Sequence, residues 1–132
     1  MNVKFFDKGD ESNPLNGSTI HDSRRLLQIL QGMRGRKPFF CELVGENGFE
    51  LGVGIAPTVG CAQYSRSDGE PPYLVTVDKN AKPEESYKEF LYQNTATEVP
   101  TRECLPLQSI LEVAVFFQET GRPSPAVSWE EI

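Results

Sequence analysis

The chain has 132 residues, 38% of them hydrophobic and 24% charged, which describes one domain (1–132) large enough to bury a core without help from metals or disulfides. No apolar run approaches the ~18 residues that a bilayer crossing needs, and Met1-Asn2-Val3-Lys4-Phe5 has no signal-peptide layout, so the expected location is the cytoplasm with no membrane partner. The net charge of −6 is uneven: residues 1–66 hold 8 Lys and Arg against 7 Asp and Glu, whereas residues 67–132 hold 5 against 12. Nucleic-acid affinity is dominated by cationic contacts to phosphate, so direct binding of nucleic acid is excluded as an expectation. The acidic half suits either a basic protein partner or a solvated face that maintains solubility.

In chain order, Asn2–Phe6 reads as a short strand suited to a sheet edge, and Asp7–Gly17 as a polar loop. A helix follows, capped by Ser18 or Thr19, with Ile20, Leu26, Leu27, Ile29 and Leu30 on its apolar side. Arg24, Arg25, Arg34, Arg36 and Lys37 make this helix and its exit basic. Phe39–Val44 and Phe49–Ile55 flank Asn47-Gly48, a hairpin signal. With Asn47 and Gly48 as a two-residue turn, Val44 pairs with Leu51, Glu42 with Val53 and Phe40 with Ile55. One face is then a core face interrupted only by Glu42. Gly52 and Gly54 fall on the other face, with room for a helix or a ligand to approach closely.

Val59–Ser65 predicts a third strand and Tyr73–Val77 a fourth, joined by a turn over Arg66–Pro72. Asp78–Ser86 reads as an exposed loop. Tyr87–Gln93 reads as a fifth strand or a short helix, and Thr95–Glu103 as a connection in which Pro100 forbids regular structure. Pro106 then opens a long helix, whose residues Leu107, Ile110, Leu111, Ala114 and Phe117 recur at helical spacing. Val113 and Phe116 widen its apolar surface, so it is expected to be covered on two sides. Gly121 stands where a left-handed cap falls, and Pro123 and Pro125 prevent continuation into the tail that carries Trp129. The fold class is α+β: a mainly antiparallel sheet of about five strands, with an N-terminal helix and a long C-terminal helix packed on it.

The run Phe117-Gln118-Glu119-Thr120-Gly121-Arg122-Pro123, with Val127-Ser128-Trp129 after it and Val99-Pro100 and Leu105-Pro106-Leu107 before it, resembles the C-terminal motif of the Imm1 family of bacterial immunity proteins. Here Gly121-Arg122-Pro123 is contiguous, whereas the family pattern has one more residue between the glycine and Arg-Pro. The family's order, an N-terminal helix, several strands and a long helix before a tryptophan, agrees with the whole chain. The resemblance implies a small cytoplasmic antitoxin that silences a secreted toxin, often a nucleic-acid deaminase, by binding it. Gly121, Arg122, Pro123 and Trp129 are the residues of the structural motif; Trp129 suits either an interface or a plug in the domain's own core.

No catalytic constellation emerges. His21 is the only histidine and faces no nucleophile motif, no HxE with PCxxC is present, and no cofactor or metal is implied. Cys41, Cys61 and Cys104 read as ordinary reduced thiols. A binding protein is what remains. As an antitoxin it would face a basic, nucleic-acid-acting toxin and block the substrate site, with Tyr64, Asp68, Glu70, Tyr73, Glu84, Glu85 and Tyr87 as contacts chosen for type and exposure. The alternative is a small-molecule or peptide-binding domain that uses the glycine-bearing sheet face.

Overall fold

A computed structural model describes residues 1–81 and 86–132. The described chain is α+β, with two helices and one large, mainly antiparallel sheet. Strand β1 (Val3–Asp7) and the short β2 (Ser18–Ile20) precede helix α1 (Ser23–Gly32); strands β3 (Phe39–Gly45), β4 (Phe49–Ile55), β5 (Val59–Arg66) and β6 (Tyr73–Val77) follow. A hairpin of β7 (Tyr87–Tyr92) and β8 (Thr95–Pro100) leads through a 3-10 turn to β9 (Leu105–Pro106), α2 (Leu107–Thr120) and β10 (Ser128–Glu131). The main order is β10-β6-β5-β4-β3-β1-β2, with β7 beside β3, β8 beside β7 and β9 beside β5. The sheet thus has ten strands where about five are expected from the sequence.

The additional strands come from segments whose pairing is invisible locally. Thr95–Pro100 pairs along its whole length with β7 instead of forming an irregular connection. Pro100 is tolerated because it closes the strand, where its missing N–H removes little from the ladder. Ser18 and Thr19 form β2 against β1, so the cap of α1 falls to Asp22, whose carboxylate accepts from the Arg25 N–H at 2.8 Å. β1 is an interior strand, flanked by β2 and β3.

The β3–β4 register is one residue from the expected one. Cys41 pairs with Val53 and Leu43 with Leu51, so Glu46-Asn47-Gly48 form a three-residue loop with Gly48 left-handed at φ 86°. A one-residue slip exchanges the two faces of a strand. Phe39, Cys41 and Leu43 therefore point inward with Leu51, Val53 and Ile55, and Phe40, Glu42 and Val44 point outward. Both helices lie on the inward face. Ile110, Leu111, Val113, Ala114 and Phe117 of α2 and Leu26, Ile29 and Leu30 of α1 close the main core over Phe5, Tyr64 and the inward residues of β3 and β4. At the end of α2, Gly121 adopts φ 74° and its N–H donates to the Phe117 carbonyl, as a left-handed cap requires.

On the opposite face a smaller core of Ala56, Cys61, Phe90, Val99 and Cys104 lies under the β7–β8 hairpin. The expected helix over the strand glycines is absent from that side of the described structure. A Cβ on Gly54 would instead meet Cys61 Sγ and the Phe40 and Phe90 rings.

Candidate functional site

Among the described residues no helix covers the part of this second face beyond the β7–β8 hairpin, and the side chains on it follow from the register. Glu42 of β3 stands opposite Gly52 of β4, which stands opposite Gln63 of β5; Val44, Glu50 and Ser65 form the next row. With no side chain on Gly52, the middle of the row is a floor, and Glu42, Glu50, Gln63, Ser65 and Tyr92 enclose a cleft of about 300 Å3 above it. Tyr92, at the end of β7, forms one wall.

The cleft is acidic, and its charges are unequally compensated. The Tyr92 hydroxyl donates to Glu42 Oε1 at 2.7 Å, and Lys8 Nζ lies 3.9 Å from Glu42 Oε2 while also sitting over the Phe6 and Tyr92 rings. That hydrogen bond to Glu42, with burial and the nearby carboxylates, pushes the Tyr92 phenol up to about 12. Glu50 has no salt bridge among the described residues. Burial raises its carboxyl above the ordinary range, the Glu42 charge raises it further, and Lys8 offsets part of this. By register Glu130 belongs to the same face, but Arg102 holds it at 2.7 Å. Among the described residues that line the cleft, Glu50 is the carboxylate without an ion pair.

The residues expected at an interface are dispersed. Asp68 and Glu70 are exposed in the β5–β6 turn, and Tyr73 beside them opens β6 opposite Ser65, its hydroxyl donating to the Gly69 carbonyl. This group adjoins the cleft. Asp68 is not free, because Arg66 pairs with it. Tyr87 is 57% exposed but stands at the far end of β7 from Tyr92, about 17 Å along the strand. Glu84 and Glu85 lie outside the described residues. Tyr64 contradicts its expected exposure: it is 6% exposed, stacks on Phe49 at 5.0 Å and donates its hydroxyl to the Gly121 carbonyl at 3.0 Å. It is a core residue because β5 turns it toward the helices.

Two of the motif residues, Gly121 and Trp129, make hydrogen bonds within the fold. The Gly121 carbonyl accepts from both Tyr64 and Asn47, whose Nδ2 is 3.1 Å away, so the end of α2 is tied to β5 and to the β3–β4 loop. Trp129 is half-buried against the main core, and its Nε1–H donates to the Ser124 carbonyl at 2.8 Å, which folds the tail back before β10 pairs with β6. Pro123 is half-buried in that return; the Arg122 side chain is exposed.

Glu42, Glu50, Gln63, Ser65 and Tyr92 were not predicted as site residues. The available signal was Glu42 itself: a carboxylate inside a supposed core face argues for the other register, which places every apolar side chain of the two strands except Phe40 and Val44 inward. Among the described residues no group of three or more His, Cys, Asp or Glu could hold a metal ion, and no helix is long and apolar enough to cross a membrane. The space above Gly52 is polar and acidic, unlike the apolar cavity that a small-molecule site over the glycines would require.

No curated protein matches the chain. The family described as "Immunity protein Imm1" matches residues 11–131, and this span includes both helices, the cleft and the Gly121-Arg122-Pro123 motif. By that match over nearly the whole chain, the protein belongs to the Imm1 family of immunity proteins.

Proposed function

We propose that this immunity protein neutralises a basic toxin domain acting on nucleic acid, most simply a deaminase, by laying the helix-free face of its sheet over the toxin's substrate-binding groove. The observation that carries this reading is the concave acidic cleft around Glu42 and Glu50, continuous with Asp68, Glu70 and Tyr73 of the β5–β6 turn. A groove that holds phosphates is lined with cations, and an acidic surface competes for the same cations. Tyr92 and Tyr73 supply aromatic area on either side of the charge, as interface anchors do. Tyr87, at the other end of β7, is a peripheral contact. The protein itself performs no chemistry in this reading and acts where the toxin would, in the cytoplasm.

The test is co-expression with the toxin domain encoded beside it, with a pull-down of the pair. Rescue and a stable complex are expected for the natural sequence and for Glu112→Lys on the exposed side of α2. Both should fail for the double variant Glu42→Lys, Glu50→Lys. If that folded double variant rescues and binds as well as the natural protein, the sheet face is not the interface.

A further inference from the structure

Two of the three buried cysteines lie at the end of the β5–β9 pair. β5 and β9 pair antiparallel with Val59 opposite Pro106 and Gly60 opposite Leu105. The same register carried one residue further sets Cys61 opposite Cys104. The Leu107 N–H donates to the Thr58 carbonyl at 3.0 Å, which makes Thr58/Leu107 a hydrogen-bonded pair. By alternation, Cys61/Cys104 is a non-hydrogen-bonded pair, the kind in which opposite Cα atoms approach to about 4.5 Å and side chains are nearest. Beyond it the ladder opens, because the Thr76 hydroxyl enters between the strands, accepting from the Ala62 N–H at 3.0 Å and donating to the Glu103 carbonyl at 2.9 Å.

Both thiols belong to the same small core, with Ala56, Phe90 and Val99, and Cys104 is near enough to raise the Cys61 thiol. Their surroundings differ. The Cys61 Sγ is turned toward Gly54 of β4, and the charged side chain that acts on it, Glu103, is negative. Cys104 borders a surface cleft of about 350 Å3 with Lys88 and Arg102 on its lining. Burial pushes the Cys104 thiol up and Glu103 adds to the rise, while Lys88 offsets part of it. Cys41 lies on the other face of the sheet, in the main core, and cannot take part.

We propose that Cys61 and Cys104 form an oxidisable pair, in which a hydroperoxide converts the two thiols into an intramolecular disulfide between β5 and the strand that leads into α2. Cys104 is the first to react. Its thiolate attacks the peroxide oxygen, the O–O bond breaks, and the sulfenic acid forms with release of water. Cys61 then attacks the Cys104 sulfur, the S–O bond breaks and a second water leaves with the Cys61 proton. Two thiols and one hydrogen peroxide thus give one disulfide and two waters. The bond would fasten the start of α2 to the central strand, and a thiol reductant would reverse it.

The experiment treats the folded natural protein with hydrogen peroxide at pH 8.5, followed by intact mass and a non-reducing peptide map. A product lighter by two hydrogen atoms, mapping to a Cys61–Cys104 peptide and restored by dithiothreitol, is expected. Cys41→Ser should behave identically, and Cys104→Ser should not lose the two hydrogens. The proposal is overturned if the folded protein keeps all three thiols, if Cys41 enters the bond, if the disulfide joins two chains, or if it forms only in denaturant.

Discussion

The Tyr64 hydroxyl and the Gly121 carbonyl meet at 3.0 Å across 57 positions of sequence, joining a central strand to the cap of the long helix. The same carbonyl accepts from Asn47. Replacing Tyr64 by Phe therefore removes one bond without leaving the carbonyl unsatisfied, and the Phe49 stacking survives. The expected loss is about 0.5–1.5 kcal/mol of stability, read by urea denaturation, with unchanged toxin binding. A drop in toxin affinity at preserved stability would return Tyr64 to the interface.

Gly121→Ala should be far more costly. At φ 74° a side chain is strained, and a Cβ there would lie 2.2 Å from Asn47 Nδ2 and 3.1 Å from Asn47 Cγ. A loss of about 2 kcal/mol or more is expected, visible as a lowered denaturation midpoint. Asn47→Ala in the same chain should recover part of it by removing the clashing amide.

Asp7 is the buried member of an ion pair with Arg36. The Asp7 carboxylate accepts from Arg36 at 2.6 Å, from Asn13 at 2.9 Å and from the backbone of Gly9 and Asp10, which organises the loop before β2. Burial pushes the Asp7 carboxyl up, but the hydrogen bonds from Arg36, Asn13 and Gly9 and the Arg36 charge outweigh it, holding the group below its ordinary value of 3.8. A depressed folded pKa means stability that is present above pH 3.8 and lost as pH falls through the folded value. Asp7→Asn should cost about 2 kcal/mol at neutral pH, since Arg36 is partly exposed and keeps some solvation. It should also flatten the fall in unfolding free energy below pH 4; equal slopes for the two proteins would refute this.

Glu50 sets an expectation for the proposed interface. Its carboxyl is raised by burial and by Glu42, so it takes up a proton at a higher pH than an ordinary glutamate does. Affinity for a basic toxin, fully present when Glu50 is ionised, should begin to fall above the usual carboxylate range. Glu50→Gln should bind about tenfold more weakly at neutral pH and lose that early part of the pH dependence. Isothermal titration from pH 7 to 5 measures both.

Complementary charge acts mainly on encounter, so the association rate of the natural pair should drop as salt rises from about 50 mM to 500 mM. In stopped-flow measurements the Glu42→Lys, Glu50→Lys variant should show a flatter dependence. A salt-independent rate for the natural protein would remove the electrostatic argument without touching the family membership.

What the sequence determined by itself was whatever depends on near neighbours. The spacing of Leu107, Ile110, Leu111, Ala114 and Phe117 and the glycine at 121 specify α2 and its left-handed end, because 3.6-residue periodicity and cap geometry are local. The alternation in β4, β5 and β6 likewise marks strands, and the C-terminal motif points to the family. Tertiary structure decided which face of each strand is inside. Asn47-Gly48 by itself fits a two-residue or a three-residue loop; Glu42 hints at the latter, and closure of Phe39, Cys41, Leu43, Leu51, Val53 and Ile55 under the helices selects it. That single choice turns Glu42 outward, onto the face that Glu50 and Gly52 occupy in either register, and so creates the cleft, just as the orientation of β5 buries Tyr64. The pairing of β8, β9 and β10 also waits for the fold, because a short strand gains its hydrogen bonds only once the neighbouring edge is in place.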